Sequence, residues 1–214
     1  MNKQTRDILV ASLAAGAVAA SLYFAIAGRS PRIDLNPYTA LGAVTAEETA
    51  KLLGNKGQVL VMARDTGADK NPSVEAELKA FRQTLKKHAG LSQVTERILA
   101  TPMLMMATGG GVPPDQLFKA LATHANVGAL VLFCGLPPLA DPELETLKKS
   151  GVRIVVVSSF QPGYRLLLEQ QVIHLAIVPR PDAPPPGAQP PRTLRERFDQ
   201  DYLIVTPAAA ARLP

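Results

Sequence analysis

The residues best placed to do chemistry in this chain are Arg64, Asp65, Thr66 and Gly67, which follow an apolar run and carry both signs of charge, a hydroxyl and a glycine. Such a loop can hold a small polar molecule: the guanidinium donates, the carboxylate accepts, and glycine lets the backbone come close. Ser158 and Ser159, two hydroxyls after a second apolar run, are the other polar pair expected to touch the same ligand. Glycines 109–111 precede Pro113-Pro114-Asp115. A helix starting there offers its N-terminus to an anion, but the prolines remove backbone donors where a phosphate needs them.

Elsewhere the chemistry thins out. A single cysteine, Cys134, excludes an internal disulfide and a cysteine metal cluster, and its apolar surroundings make it a small buried hydrophobe. His88, His124 and His174 are dispersed, two near expected helix ends and one in an expected strand, a pattern of dipole partners and core packing rather than metal ligation. Met103, Met105 and Met106 have no His or Cys nearby in sequence and read as pliable core filling. The segment TGADKNPS lacks the ending of a phosphate-binding loop, and no nucleophile elbow or C-x-x-C pair occurs. The expectation is therefore a protein without cofactor or metal, and without readable acid–base or nucleophilic machinery.

These loops need elements to hold them. The clearest unit runs from Asn126 to Ser159, where the apolar runs Ala129–Cys134 and Ile154–Val157 suit strands buried on both faces. Between them Asp141 is expected to cap a helix with Pro142 in its first turn, stopped at Ser150-Gly151 after Lys148-Lys149. The same alternation extends both ways. Strands are expected at Gln58–Ala63, Gln93–Leu99 and Val172–Val178, and helices over 73–88, from Pro113-Pro114-Asp115 onward, and over 163–170. That order defines an α/β domain: an open, mostly parallel five-stranded sheet, order 2-1-3-4-5, with helices on both faces. Thr45 to Glu48 has capping-box spacing and opens a short helix through Leu53 that Gly54 ends. After residue 178 a proline-rich connector, 179–201, leads to a terminal strand at Tyr202–Thr206, expected to return to an edge of the sheet.

Ahead of the domain, Ile8 to Ala27 is twenty residues without a charge, the length of a helix that spans a bilayer. An A-x-A site at Ala25–Ala27 also fits a cleavable signal peptide, although the apolar run is longer than the usual one. Residues 1–27 are thus expected to be an anchor or leader and 28–44 an extended tether; Ser12, Gly16 and Ala20 place small side chains on one helical stripe where another helix can pack. The chain carries 23 basic and 18 acidic residues, net +5, scattered without basic runs or interleaved aromatics, which points away from nucleic acid.

From Lys56 to Val178 the chain resembles one lobe of the type I periplasmic binding proteins, the sugar-receptor and repressor-core superfamily. The likeness lies in KGQVLVMA before a loop and amphipathic helix, in PDQLFKALATHANVGALVLF, and in LKKSGVRIVVVSS. The resemblance implies a flavodoxin-like layer and a ligand held between two lobes, whereas the 214 residues give length for one. Where that family presents Asp or Asn after the fourth strand, this chain has Ser158-Ser159. The expected role is a non-enzymatic accessory or structural subunit of a membrane complex. It is single-pass in a bacterial inner membrane, with the domain on the periplasmic side. The alternative is a domain that senses or binds a small polar solute.

Overall fold

The computed structural model describes residues 14, 16–23, 33–65, 67, 70–99, 103, 106, 111–157, 163–183 and 191–213. The chain divides into two compact units, Met1–Asp34 and Leu35–Pro214. In the second, helix α1 (Asn36–Leu52) leads into β1 (Gly57–Asp65), α2 (Pro72–Leu85), β2 (Leu91–Leu99), α3 (Pro114–Thr123), β3 (Val127–Leu132) and α4 (Asp141–Lys149). It continues through β4 (Arg153–Val157), α5 (Tyr164–Glu169), β5 (Leu175–Pro179), α6 (Leu194–Asp201), β6 (Tyr202–Val205) and a 3-10 turn, Pro207–Arg212.

The strands form one six-stranded sheet, order β2-β1-β3-β4-β5-β6. β1 to β5 run parallel and β6 returns antiparallel to β5, so the expected order holds and the terminal strand does close an edge. β1 sets the layers. Val59, Leu60, Val61, Met62 and Ala63 are all completely buried, because their alternating side chains meet helices on both faces. Val59, Val61 and Ala63 pack with Leu41 and Val44 of α1, Phe81 and Leu85 of α2, and Phe198 of α6. Leu60 and Met62 pack on the other side with Leu117 of α3, Leu147 of α4 and Leu168 of α5.

Several local expectations are corrected. The stretch 36–44 is the first half of α1 rather than a tether. Pro37 sits in its first turn, where no backbone donor is missed, and Ala40, Leu41 and Val44 are buried, so packing rather than a cap determines the helix. Thr45 opens nothing: it is buried mid-helix, and its hydroxyl donates to the Leu41 carbonyl at 2.7 Å. Gly54, with φ +61, does end the helix. In α4 the cap position is Ala140, whose N–H is taken by the Glu143 carboxylate at 2.7 Å, and Asp141 is the first helical residue. The charged run after the prolines is α6, capped by Thr193 accepting from Glu196 N–H at 3.1 Å. β5 starts at Leu175, three residues later than expected: Val172 and Ile173 still donate back to the Leu167 carbonyl of α5, and His174 makes the first bond to β4, at Ile154. Met103 and Met106 are 82% and 86% exposed and fill no core; Met105 lies outside the described residues.

Of the apolar segment Ile8–Ala27, residues 14 and 16–23 are described and helical, with Gly16 and Ala20 among them. Ser12 and the rest of that segment lie outside the described residues, and among those described no helix is long and apolar enough to cross a membrane.

Two of the helices on the same face as Val61, α1 and α2, approach closely where α1 has no side chain: a Cβ on Gly42 would collide with the Glu77 carbonyl of α2. A backbone atom cannot swing aside, so Gly42→Ala should cost about 1–3 kcal/mol in urea unfolding. Gly163→Ala, which points into open space, should stay within about 0.5 kcal/mol.

Candidate functional site

In an open parallel sheet the chain leaves β1 in one direction to reach β2 and then crosses back to β3, so neighbouring connections part between β1 and β3. The crevice outside the carboxyl ends of those two strands is where such sheets hold ligands. Arg64 and Asp65 are the last residues of β1, and residues 133–136 follow β3. Arg64, Asp65 and Gly67 therefore stand at the switch point, as the sequence predicts, while Thr66, Ser158 and Ser159 lie outside the described residues.

The local geometry explains why this turn is built as it is. The Asp65 carboxylate accepts the N–H of Gly67 at 3.0 Å, an Asx turn. Gly67 has φ +71, a conformation only glycine adopts without strain, and the space beside its Cα is open. Across the crevice, Phe133 N–H donates to the Met62 carbonyl at 2.9 Å, which prolongs β3 against β1 by one residue. The Phe133 ring meets Phe81 of α2 edge-on, centroids 5.6 Å apart at 89°. The loop beyond is braced from below: Leu136 N–H points to the Tyr164 hydroxyl at 3.5 Å, and a Cβ on Gly111 would lie 2.9 Å from Pro137 N. Backbone on this side is fixed rather than free to adapt.

The electrostatics add residues that sequence reasoning missed. Glu77, on the second turn of α2, is largely buried, and desolvation raises its pKa to about 7 against the opposing pull of Arg64. Tyr202, opening β6, is pushed to about 12, first by burial and then by the Glu77 carboxylate. Glu77 and Tyr202 thus act on one another on the α1–α2–α6 face, and the charge of Arg64 reaches Glu77 from the end of β1. Glu77 was hidden in sequence because its position on α2 looks like an ordinary first-turn acid beside Glu75. Glu75 is different in fact: it pairs with Arg97 of β2 at 2.7 and 3.2 Å, and that contact holds its carboxyl below the usual range.

Other candidates resolve into structure. Cys134 is buried, its Sγ lies 3.7 Å from the Met62 carbonyl, and burial raises the thiol to about 12, so it carries no thiolate at neutral pH. His124 ends α3 and binds Glu96 at 2.9 Å. His174 precedes β5 rather than lying in it; its Nδ1 accepts Ile154 N–H at 3.2 Å, and burial lowers its pKa. Among the described residues no three His, Cys, Asp or Glu side chains gather as metal ligands. Among the described residues, grooves of about 490 and 480 Å³ flank α2 and do not reach the switch point: one lies between α1 and α2 beside Thr39 and Lys79, the other beside β2.

With the fold described, its class is plain: a type I periplasmic-binding-protein-like α/β layer. The chain is similar to AraP, an arabinose binding protein from Geobacillus stearothermophilus, at 14% identity and TM-score 0.55 over 84% of this chain and 63% of that one. It is similar to a solute binding protein of an ABC transporter from Agrobacterium vitis, bound with α-D-tagatopyranose, at 16% identity and TM-score 0.52 over 82% and 60%. A putative LacI transcriptional regulator from Bacteroides fragilis shares 12% identity at TM-score 0.50 over 76% and 50%. The chain thus spans 63% or less of the length of each of these three structures. No protein-family model and no curated protein sequence matches it.

The position of Glu77 sets a pH dependence with a definite sign. Its folded pKa of about 7 lies above the ordinary 4.5, so between those values the unfolded chain has released a proton that the folded one keeps. Stability therefore falls as pH rises from 4.5 to about 7 and levels above it. Glu77→Gln should remove most of that decline, leaving the variant more stable than the parent at pH 8 by roughly 2–3 kcal/mol in urea titrations.

Proposed function

We propose that this chain is a domain that binds a small polar solute, of the monosaccharide class, at the carboxyl end of its sheet between β1 and β3. The observation that carries the reading is the placement of Arg64, Asp65 and Gly67 at the switch point of a sheet whose structural neighbours include proteins described as binding arabinose and tagatose. The chemistry agrees. A sugar offers vicinal hydroxyls that donate and accept at once, and a guanidinium and a carboxylate at the end of one strand supply a donor and an acceptor for them. The open side of Gly67 lets a ring approach the backbone. Ser158 and Ser159 supply further hydroxyl contacts in this reading, from the loop after β4.

A second reading concerns where the domain works. Residues 16–23 are helical and carry Val18, Leu22 and Tyr23 at 58%, 56% and 68% exposure, within a twenty-residue segment that has no charge. Such apolar exposure favours burial in lipid or against another helix and so supports an anchored domain; in this reading the domain is presented on the periplasmic side, with Ser12, Gly16 and Ala20 as a packing stripe for a partner subunit.

Calorimetric titration of the full chain with a panel of pentoses and hexoses tests the first reading. At least one should bind, and Arg64→Ala and Asp65→Ala should each weaken it about tenfold or more, that is by about 1.4 kcal/mol or more, without lowering the melting temperature. Binding indifferent to both substitutions, or none across the panel, contradicts it. For the second reading, Gly16→Leu should abolish co-purification of membrane partners in detergent while leaving solute affinity unchanged.

A further inference from the structure

We propose that the groove between α2 and β2 is a second binding site, for a small polyol phosphate, with the phosphate held by Arg82 and Lys86 and a hydroxyl of the ligand held by Gln93. The groove encloses about 480 Å³, the size of a small-molecule site, and is separate from the switch point where a neutral solute is proposed to bind. Arg82 lines it from α2 and Lys86 from the residue just past the end of that helix; Gln93 and Thr95 line it from β2.

Arg82 and Lys86 are four residues apart, so they stand on one side of the helix end, and like charges at that spacing repel. Among the described residues neither side chain makes an ion pair or a hydrogen bond. Glu75, the acid that feels the charge of Arg82, already takes two bonds from Arg97, at 2.7 and 3.2 Å. No acid lines the groove among the described residues, and the carbonyl end of α2 offsets only about half a charge. Two cations therefore share an opening with nothing to match them. A phosphate monoester, which carries about −1.5 to −2 at neutral pH, matches both, where a carboxylate would leave one unmet. The arginine fork and the lysine ammonium each donate well to phosphate oxygens.

Gln93 indicates what the rest of the ligand carries. Alternation along β2 puts Leu91, Gln93 and Thr95 on one face, the face from which Arg97 reaches Glu75 of α2. The Gln93 amide donates to the Thr95 hydroxyl at 2.7 Å, while its Oε1 is buried without a hydrogen-bond partner among the described residues. The side chain as a whole is only half-buried, so a small turn of the amide presents that oxygen to the groove. A carbonyl oxygen in this state needs a donor. A phosphate dianion brings none, but a hydroxyl on the body of the ester does. Leu85 and Leu91 supply apolar walls for the carbon chain between the two groups.

Amide chemical-shift titration of the full chain with glycerol phosphate, inorganic phosphate and glycerol tests this. Glycerol phosphate should give saturable shifts at Lys86 and from Leu91 to Thr95, with an affinity at least about tenfold above that of inorganic phosphate, and glycerol should give none. Arg82→Gln and Lys86→Gln should each weaken both anions about tenfold. Gln93→Leu should weaken glycerol phosphate about tenfold and leave inorganic phosphate unchanged, a split that a loss of charge or of fold does not produce. Lys87→Gln removes the same charge from an exposed neighbour that does not line the groove, and should change neither affinity. No saturable binding of glycerol phosphate overturns the proposal. So does inorganic phosphate binding as tightly as the ester, which marks an adventitious ion only. Losses from Lys87→Gln equal to those from Lys86→Gln, or a Gln93→Leu variant with unchanged affinity for the ester, also overturn it.

Discussion

Burial of β1 on both faces is the constraint from which the rest follows. Five consecutive side chains, Val59 to Ala63, are wholly removed from water, and a strand in that state admits no slip of register, since a shift by one would exchange its two sets of neighbours. β1 also hydrogen-bonds to a strand on each side, to β2 along its whole length and to β3 as far as Met62. Arg64 and Asp65 stay in register with β2 alone. They emerge where the apolar run stops, beside the gap between β1 and β3, and the Asx turn to Gly67 orients the next step of the chain.

Burial also sets the electrostatics of the site. Gly42 lets α1 settle against the backbone of α2 at Glu77, which removes water from that carboxyl and raises its pKa toward neutrality. Arg64 opposes the shift, so packing between two helices and charge at the end of a strand are coupled through one side chain. Exposed ion pairs such as Lys148–Glu145 contribute little by comparison, since solvent screens them.

The layer order was legible because the central strands contain apolar runs bounded by glycine, proline or charge, as in QVLVMA and RIVVV. The order 2-1-3-4-5 is one of the two common doubly wound orders for such a run of parallel units. α1 was not legible over 36–44, because two signals misled: Pro37 resembled a breaker although it occupies a first turn, and Thr45 with Glu48 imitates a cap although the chain is already helical there. α6 carried a true cap, Thr193 with Glu196, masked by its many charges and by the prolines before it. At the proposed site, Arg64, Asp65 and Gly67 stand out from position alone. Glu77 and Tyr202 do not, since their significance comes from helix packing and from strand β6 returning beside β5, relations that no local spacing encodes.

The central claim is that the end of β1 and the loop after β3 form a single solute site. Amide chemical-shift mapping during titration with arabinose and related monosaccharides tests it most directly. The account predicts saturable shifts at Arg64, Asp65, Gly67 and residues 133–136, with Leu91–Leu99 unmoved. Saturable shifts confined to the grooves flanking α2, or a spectrum indifferent to every sugar, would contradict it.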